Sequence, residues 1–381
     1  MTEYSIPFNR PCPVGKELEY VAGAMANGVI SGDGPFTLKC QELLERELGC
    51  QKVLLTTSCT HALEMSALLL DLQPGDEVIV PSFTFVSTAN AFVLHGARPV
   101  FADVRPDTLN LDETKLESLI TPRTRAVLLV HYAGVGCDMD TILDIAARHE
   151  LVVIEDNAHG LFARHKGRRL GTFGALATQS FHETKNFTCG EGGALIINDP
   201  LLVGRAEILR EKGTDRSRFF RGQVDKYTWR DVGSSYLPSD LLAAFLLAQL
   251  EERERIQAVR RRLWERYDRR LRELAEKFGM GLPVVPDTCE QSYHMYYVLL
   301  ASLEDRRALI AHLRSRGILA VFHYLPLHLS DMGRGFGGDV GDCPVTEDVS
   351  DRLLRLPFYN DLTDSEQDRV LDSIAEFLGG R

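Results

Sequence analysis

A single lysine stands in a stretch whose residue types could carry out carbonyl chemistry. Lys185 lies among hydroxyl and aromatic side chains in the segment Ser180–Asn186, and the glycines of the segment 190–193 follow closely. A lysine amine that attacks a carbonyl compound needs close backbone approach, which glycine permits, and a second group that holds the compound. Asp156, just beyond the apolar segment Leu151–Ile154, could be that second group. The two residues together predict a lysine that forms a C=N bond with a bound carbonyl ligand.

The combination of Lys185 and Asp156 indicates a Schiff base with pyridoxal phosphate (PLP). A carboxylate beside the pyridine nitrogen keeps the ring protonated, and the ring can then accept the electrons of a broken bond. Each residue alone also has an ordinary explanation, because a lysine in a turn is usually solvated and an aspartate after a strand often caps a helix. The hypothesis therefore needs further groups that would hold the phosphate and the ring.

Such groups occur earlier in the chain. The segment Ser58–Thr60 lies between a predicted strand, Lys52–Thr57, and a predicted helix, His61–Leu70. A helix N-terminus offers free N–H groups and the positive end of the helix dipole, so this hydroxyl-rich start suits a phosphate; ordinary capping is the alternative. Phe85, just past the strand Glu77–Val80, could stack on a flat ring, with core packing as the alternative.

Strands alternate with helices through the first half of the chain. Thr37 is expected to cap a helix over Leu38–Leu48. Continuously apolar strands separated by helices predict a parallel sheet that is covered on both faces, and ligands of such sheets bind beyond the carboxyl ends of the strands. The predicted strands are Lys52–Thr57, Glu77–Val80, Arg98–Asp103, Ala126–Val130 and Leu151–Ile154.

The pattern changes after residue 238. Ser239 is expected to cap one long helix, from Asp240 to about Phe278, that links two domains. We predict a large domain over residues 1–250, which includes an N-terminal arm, and a small α+β domain over residues 251–381. The predicted elements of the small domain are the strand Met295–Leu300, the helix Asp305–Arg316, the strand Leu319–Phe322 and the helix Asp364–Leu378.

Composition restricts the class of protein. The 381 residues are 44% hydrophobic and 25% charged, as in soluble globular proteins with a sizeable core. The net charge of −11 argues against nucleic acid as a partner. No apolar run approaches the ~18 residues of a transmembrane helix, and the N-terminus has no apolar signal core, so we expect a cytoplasmic protein without a membrane partner. The eight scattered cysteines include no CxxC pair and suggest neither a disulfide framework nor a zinc site.

Two polar segments are candidates for substrate binding. Gly213–Pro238 is a long loop of aromatic and basic residues, in which Arg221 and Lys226 could bind a diphosphate; a solvated surface loop is the alternative. His323 and His328 could suggest a metal site. The proline between them prevents one helix face from presenting both imidazoles, so we predict no metal.

With these residues in place, the chain resembles the DegT/DnrJ/StrS family of PLP-dependent nucleotide-sugar aminotransferases. The resemblance extends nearly end to end. It implies fold type I, with a mostly parallel central sheet covered by helices and a smaller α+β C-terminal domain. It also implies a homodimer whose active sites are shared between the subunits. The most specific stretches are Leu55–Thr60, Pro81–Asn90, Ser180–Asn186, Phe219–Arg230 and Phe322–His328.

The resemblance implies roles for individual residues. Lys185 corresponds to the Schiff-base lysine, Asp156 to the partner of the pyridine nitrogen, and Phe85 to the aromatic residue that stacks on the ring. His159 lies where the family has Gln or His near the ring hydroxyl. The family usually completes the phosphate site with an asparagine of the partner subunit, and Ser235 stands in the corresponding loop here. The other residues implied for the phosphate are Ser58, Cys59, Thr60 and Ser180.

The implied reaction is transamination, because a dehydratase branch of the family has histidine in place of the lysine. We expect glutamate to donate the amino group and leave as 2-oxoglutarate in a ping-pong cycle. The expected acceptor is C4 of dTDP-4-dehydro-6-deoxy-D-glucose, which would give a dTDP-4-amino-4,6-dideoxyhexose. The candidates for binding the sugar nucleotide are Arg221, Lys226, Tyr236, His323, Tyr324 and His328.

Several alternatives stay open at this point. The product could have galacto or gluco configuration, and it could serve a surface polysaccharide or an antibiotic. The acceptor could be another nucleotide keto-sugar, or the chain could be an inactive PLP-fold regulatory protein. A nicotinamide-dependent dehydrogenase would also suit alternating strands and helices, but no GxGxxG segment follows the first strand.

Overall fold

A seven-stranded sheet forms the centre of the computed structural model, which describes residues 4–380. The strand order in this sheet is β1-β9-β8-β5-β4-β2-β3, and only β9 runs antiparallel to the rest. Two small sheets, β10-β6-β7 and β11-β12, lie beside it. The strands are β1 Lys52–Thr56, β2 Glu77–Pro81, β3 Arg98–Ala102, β4 Thr124–Val130, β5 Val152–Asp156, β6 Arg164–His165, β7 Arg168–Arg169, β8 Leu176–Ser180, β9 Gly193–Ile197, β10 Cys289–Glu290, β11 Tyr297–Leu299 and β12 Leu353–Arg355.

Helices account for most of the remaining regular structure. Short 3₁₀ segments occur at Glu117–Leu119, Tyr132–Gly134, Pro200–Leu202 and Leu327–Leu329. The α-helices are α1 Glu17–Ala26, α2 Pro35–Leu48, α3 Cys59–Leu69, α4 Val86–Val93, α5 Glu113–Leu116, α6 Met139–Arg148, α7 Val203–Arg210, α8 Arg216–Phe220, α9 Asp240–Glu251, α10 Arg253–Phe278, α11 Leu303–Ser315, α12 Asp331–Gly335, α13 Pro344–Arg352 and α14 Asp364–Gly379.

The central strand β4 shows why the sheet is covered on both faces. Successive side chains of a strand point to opposite faces, so an apolar run needs a core on each side. Leu128 packs in one cluster with residues of α3 and α4, such as Phe92. Its neighbour Leu129 packs in another cluster with Ile142 of α6 and with α5. The predicted α/β class, with a mostly parallel sheet between helices, is confirmed.

A separate hydrophobic cluster holds the C-terminal part together. It contains Leu263 and Tyr267 of α10, together with residues of α11, α14 and β12. Ile6 of the N-terminal arm also belongs to this cluster, and its backbone pairs with Gly317 and Leu319. Ile6 therefore joins the arm to the C-terminal part, while Val14 further along the arm packs against the cluster that contains α2 and α9. The boundary between residues 250 and 251 stays a prediction, although α9 and α10 meet close to it.

Three local predictions differ from the structure. The long helix is broken at Glu252, whose ψ of 17° separates α9 from α10. The segment 319–322 forms one isolated bridge, between Val321 and Arg355, rather than a strand. Thr37 lies inside α2 instead of capping it, because α2 begins at Pro35 and the Asp240 carboxylate accepts hydrogen bonds from the Thr37 N–H and hydroxyl at 2.7 and 2.8 Å.

Two further properties concern residues 4–380 only. No helix in this range combines the length and the apolar character needed to cross a bilayer. No group of three or more His, Cys, Asp or Glu side chains in the same range is placed to hold a metal ion.

Candidate active site

A cavity of about 440 Å³ lies where the strands of the main sheet end and the C-terminal part begins. Ser58 follows β1, Phe85 follows β2, and Asp156 and Ser180 end β5 and β8. Because these strands are parallel, their carboxyl ends meet at one edge of the sheet. The structure brings ten of the sequence candidates to the wall of this cavity: Ser58, Cys59, Thr60, Phe85, Asp156, His159, Ser180, Lys185, His323 and Tyr324.

The N-terminus of α3 forms one end of the cavity. Ser58 caps the helix, since its hydroxyl accepts a hydrogen bond from the His61 N–H at 3.1 Å. The first N–H groups of the helix have no intrahelical acceptor. Gly193 packs so closely here that a β-carbon on it would lie 2.3 Å from the Ser58 carbonyl carbon. Glycine at this position therefore lets β9 hold the helix start against the cavity.

Asp156 is a buried carboxylate held in one orientation. Its oxygens accept hydrogen bonds from the Thr88 hydroxyl at 2.9 Å and from the Ala158 N–H at 3.1 Å. Burial raises the pKa of Asp156, while these two hydrogen bonds and the positive charge of Lys185 act in the opposite direction. The two hydrogen bonds fix the side chain, so that it faces the cavity as a preformed acceptor.

Lys185 is half-buried in the cavity wall, and its amine has no hydrogen-bond or ion-pair partner among residues 4–380. Its backbone N–H donates to the His182 carbonyl at 2.9 Å, which closes the turn that carries it. Burial lowers the pKa of Lys185 to about 8; the negative forms of Cys59 and Asp156 raise it, and the positive charge of Arg355 lowers it further. About a tenth of the amine is therefore deprotonated at pH 7, and an uncharged amine is a nucleophile and a base.

Two imidazoles in the cavity wall are held uncharged. His159 stacks on His294 with ring centroids 4.2 Å apart, and burial holds the pKa of His159 well below its usual value. The buried Nδ1 of His159 has no partner among the described residues. His323 stacks on Tyr324 at 3.9 Å, and burial lowers the pKa of His323 to about 3. Neutral imidazoles with a free ring nitrogen can hydrogen-bond a polar ligand.

This set of groups fits PLP on chemical grounds. An aldehyde needs an uncharged amine, a protonated pyridine nitrogen needs a buried carboxylate, and a phosphate suits a helix N-terminus with hydroxyl groups. The Nδ1 of His159, which has no partner among the described residues, is a further group that can hydrogen-bond a polar ligand. The exposed ring of Phe85 offers a flat surface at the cavity mouth.

Five sequence candidates lie outside the cavity wall of their own chain. Arg221 pairs with Glu207, and Lys226 and Ser235 are exposed. Tyr236 is buried and packs edge-on against His61 with ring centroids 5.2 Å apart. His328 is buried, with its Nδ1 2.6 Å from the Ser82 hydroxyl and its Nε2 3.1 Å from Glu347. The single chain gives these residues structural or solvent contacts, and their ligand roles stay predictions.

Three of the cavity residues that were not found from the sequence bear directly on its chemistry. Thr88 orients Asp156, His294 stacks on His159 and pairs with Asn186 at 2.9 Å, and Arg355 lines the wall contributed by β12. Thr88 and His294 have ordinary sequence surroundings. Arg355 did leave a signal, because it interrupts the apolar run of β12 and its flanking leucine with a charge.

Comparisons with known proteins agree with this site. Residues 11–375 match the model of the DegT/DnrJ/EryC1/StrS aminotransferase family. The chain is 36% identical to GDP-perosamine synthase of Caulobacter vibrioides over 96% of each chain. It is 32% identical to the spore coat polysaccharide biosynthesis protein SpsC of Bacillus subtilis, over 98% of this chain and 97% of the relative. The PLP form of the Streptococcus pneumoniae protein Spr1654 superposes with a TM-score of 0.91, at 27% identity over 99% of each chain.

The family match spans nearly the whole chain, and solved relatives include forms with PLP and with its amine form. The predicted cofactor and enzyme class are therefore confirmed. The chain belongs to the DegT/DnrJ/EryC1/StrS aminotransferase family and is a PLP-dependent sugar aminotransferase.

Proposed function

We propose that the chain transfers the amino group of glutamate to C4 of dTDP-4-dehydro-6-deoxy-D-glucose. The product would be a dTDP-4-amino-4,6-dideoxyhexose. The observation that carries the proposal is Lys185, whose pKa is lowered to about 8, in one cavity with the buried carboxylate of Asp156. The acceptor itself is supported by the sequence resemblance of the loop Phe219–Arg230.

The cavity residues would hold PLP in one orientation. Asp156, oriented by Thr88, would pair with the pyridine nitrogen, and His159 would hydrogen-bond the ring hydroxyl through its free nitrogen. Phe85 would cover one face of the ring. The residues that would bind the phosphate are Ser58, Cys59, Thr60 and Ser180 of this chain, with Ser235 of a second copy.

Bound PLP supplies an electron sink for the bond that breaks at the amino-bearing carbon. Lys185 then has two tasks. Its uncharged amine takes the proton from the α-carbon of the donor, and in the second half of the cycle it delivers a proton to C4 of the sugar. Both tasks need an amine that gains and loses its proton near neutral pH, which burial provides. The stacked pair His323 and Tyr324 would close the cavity around the sugar.

We further propose that the active unit is a homodimer. Exposed apolar side chains on α1 and α2, Leu18, Met25 and Leu38, would be covered by a second copy. The residues that lie outside their own cavity, Arg221 and Lys226 among them, could then reach the partner's cavity and bind the diphosphate. Free cysteines throughout the described chain fit a reducing, cytoplasmic location.

A second candidate acceptor is a GDP-linked 4-keto sugar. The observation in its favour is the 36% identity to a relative named GDP-perosamine synthase. The bases guanine and thymine differ in size and in hydrogen-bonding groups, so one site would discriminate between them. Both candidates share the same reaction at the keto carbon.

The test is a spectrum of the purified protein with PLP, followed by turnover with glutamate and either keto-sugar nucleotide. We expect an absorbance of the lysine-bound cofactor and a higher kcat/KM with the dTDP sugar. NMR coupling constants at C4 of the product would distinguish the galacto from the gluco configuration. A preference for the GDP sugar would select the second candidate, and a bound cofactor without turnover on any nucleotide sugar would indicate a regulatory protein.

A further inference from the structure

His294 is a cavity-wall imidazole whose two ring nitrogens have different surroundings. It is 6% exposed, lines the cavity and stacks on His159. Its Nδ1 lies 2.9 Å from the side-chain oxygen of Asn186. Its Nε2 has no hydrogen-bond partner among residues 4–380 and is accessible from the cavity. The protein therefore engages one nitrogen of the ring and leaves the other for a ligand.

The hydrogen bonds of Asn186 fix which nitrogen of His294 carries the proton. The Asn186 amide nitrogen lies 2.7 Å from the carbonyl oxygen of Ser292, which can only accept. The amide oxygen of Asn186 therefore faces His294, and it too can only accept, so Nδ1 of His294 is the donor. Burial holds the pKa of His294 well below its usual value, so the ring carries one proton. Nε2 consequently presents a lone pair to the cavity.

His294 lies close to the lysine at which the reaction takes place. Its partner Asn186 is the residue after Lys185 in the chain. The positive charges of His159 and Lys185 add to burial in lowering the pKa of His294. His159, on which His294 stacks with ring centroids 4.2 Å apart, is the proposed partner of the cofactor's ring hydroxyl. A ligand atom bound to Nε2 of His294 therefore lies near the carbon whose bonds change.

A nitrogen lone pair selects ligand atoms that carry a proton. The carboxylates of an amino acid, a diphosphate and a carbonyl oxygen offer only lone pairs of their own, so each is a poor neighbour for Nε2 of His294. A hydroxyl group can donate a hydrogen bond to it. In the proposed acceptor, the carbon C3 next to the keto carbon C4 carries a hydroxyl group. The other neighbour, C5, carries a methyl group and the ring oxygen, and neither can donate.

We propose that Nε2 of His294 accepts a hydrogen bond from the hydroxyl group next to the keto carbon, so that the acceptor is an α-hydroxy ketone; this rests on the proposed function. The hydrogen bond orients the keto carbon toward Lys185. Glutamate has no hydroxyl group to donate. His294 therefore acts in the half-reaction with the sugar, and the half-reaction with the amino acid does not need its Nε2.

Three other polar groups of the wall are less suited to this role. The Nδ1 of His323 is buried without a partner among the described residues, so no protein group decides which of its nitrogens carries the proton. His182 and Glu191 pair with each other at 3.6 Å at the rim, where their side chains are 40% and 69% exposed. A hydrogen bond to either of them competes with water. His294 combines burial, a fixed proton and a free acceptor nitrogen.

The test combines removal of the hydroxyl group with removal of the imidazole. The amine form of the holoenzyme reacts with the dTDP-linked 4-keto-6-deoxy sugar or with its 3-deoxy analogue, and the cofactor's absorbance follows each half-reaction. For the wild type we expect kcat/KM to be about 10- to 100-fold lower with the analogue, because Nε2 is left without a donor. In His294→Phe the two sugars should react within about threefold of each other. The wild-type comparison needs no variant and stands even if His294→Phe does not fold.

Further measurements distinguish binding of the hydroxyl group from a structural role. The half-reaction of His294→Phe with glutamate should stay within about threefold of the wild type. His294→Gln keeps an acceptor oxygen on a side chain of similar reach and should regain part of the discrimination. His312→Phe is the matched control, because His312 packs against Phe377 on α11, away from the cavity wall, and its discrimination should equal that of the wild type. Equal losses in both half-reactions of His294→Phe would make His294 a partner of Lys185 or a structural residue and overturn the proposal.

A second pair of sugars separates this proposal from the proposed function. GDP-linked 4-keto sugars with and without the 3-hydroxyl group are compared in the same way. If the dTDP pair is inert and the GDP pair shows the loss, the proposed acceptor fails and the role of His294 stands. If both dTDP sugars react at equal rates in the wild type, the role of His294 fails and the proposed function stands. An amine form that reacts with neither pair would contradict both.

Discussion

Two buried arginines of this protein differ in whether their guanidinium groups have hydrogen-bond acceptors. Arg260 of α10 and Arg355 of β12 are 3% and 8% exposed, and each lies over a phenylalanine ring. Arg260 is surrounded by acceptors, whereas Arg355 has none among the described residues. The acceptors of Arg260 are the carbonyl oxygens of Tyr293 at 2.9 Å and His294 at 2.5 Å, and the side-chain oxygen of Asn360 at 3.0 Å.

The same contrast occurs between two neighbouring carboxylates of β5. Asp156 accepts two hydrogen bonds and faces the cavity. Glu155 is turned to the other face of the strand, where it pairs with His131 at 2.9 Å. Burial alone therefore does not distinguish a structural charged residue from one that faces the cavity. The number of protein partners that the charged group has does distinguish them. Glu155 also accepts hydrogen bonds from the N–H groups of Gly171, Phe173 and Gly174, at 2.7, 2.6 and 2.7 Å.

The largest effect on turnover is expected when the amine of Lys185, which has no partner among the described residues, is removed. Lys185→Ala should lower turnover by at least about 10⁴-fold, because it removes both the nucleophile and the proton carrier. The apoprotein should unfold at the same temperature as the wild type or higher, since no protein group loses a partner. Steady-state turnover and thermal melting check this, with Lys277→Ala on the surface of α10 as the control. A melting temperature well below that of the wild type would show that Lys185 belongs to the scaffold.

Substitution of the adjacent carboxylates Asp156 and Glu155 should affect different properties, namely turnover for Asp156 and stability for Glu155. Asp156→Asn should lower turnover about 10² to 10³-fold, as expected for a group that stabilises developing charge, with little loss of stability. Glu155→Gln should leave turnover per folded molecule within a few-fold. Its free energy of unfolding should fall by about 1–3 kcal/mol, because three backbone N–H groups lose a charged acceptor. Measurements of turnover and of urea unfolding for both variants test this contrast. A loss of stability in Asp156→Asn together with a loss of turnover in Glu155→Gln would contradict it.

The two arginines can be compared by the same substitution. Arg260→Met and Arg355→Met each remove one buried charge, but only the first leaves carbonyl oxygens without a donor. We expect the free energy of unfolding of Arg260→Met to be lower than that of Arg355→Met by about 2–4 kcal/mol. Urea unfolding of the two apoproteins measures the difference. Equal stabilities would mean that the acceptors around Arg260 contribute nothing.

The smallest effect is expected in the titration of Lys185. Its pKa is lowered to about 8, mainly by burial and last by Arg355, while Asp156 raises it. Removing a positive neighbour favours the protonated amine, so Arg355→Gln should raise the pKa of Lys185, and Asp156→Asn should lower it. An amine-specific reagent reacts only with the deprotonated form. Labelling of the apoprotein against pH, read at the Lys185 peptide, should be half-maximal near pH 8 in the wild type.

The direction of each change is the test. Half-maximal labelling of Arg355→Gln should occur at higher pH than in the wild type, and that of Asp156→Asn at lower pH. Arg352→Gln is the control, because Arg352 pairs with Asp348 outside the cavity. An unchanged midpoint in Arg355→Gln would place the charge of Arg355 too far from the lysine to matter, and a shift to lower pH would contradict the predicted sign.

Much of the fold could be predicted because its signals are local. The alternation of apolar strands with helices shows the class of sheet, and Ser58 caps α3 where hydroxyl residues precede the helix. Predictions failed where a distant residue decided the outcome. Thr37 loses its capping role because Asp240, far away in the chain, supplies a better acceptor. No glycine or proline lies at Glu252 to indicate the break between α9 and α10.

The sequence by itself determined the chemistry that is encoded by residue type and by strand ends: Lys185, Asp156 and the hydroxyl-rich start of α3. These residues follow strands of one parallel sheet, and the geometry of such a sheet brings strand ends together. Only the tertiary structure decided which buried charges have partners. Arg355 and Thr88 reach the cavity from elements remote in the chain, and whether a charge is satisfied depends on neighbours that local periodicity does not encode.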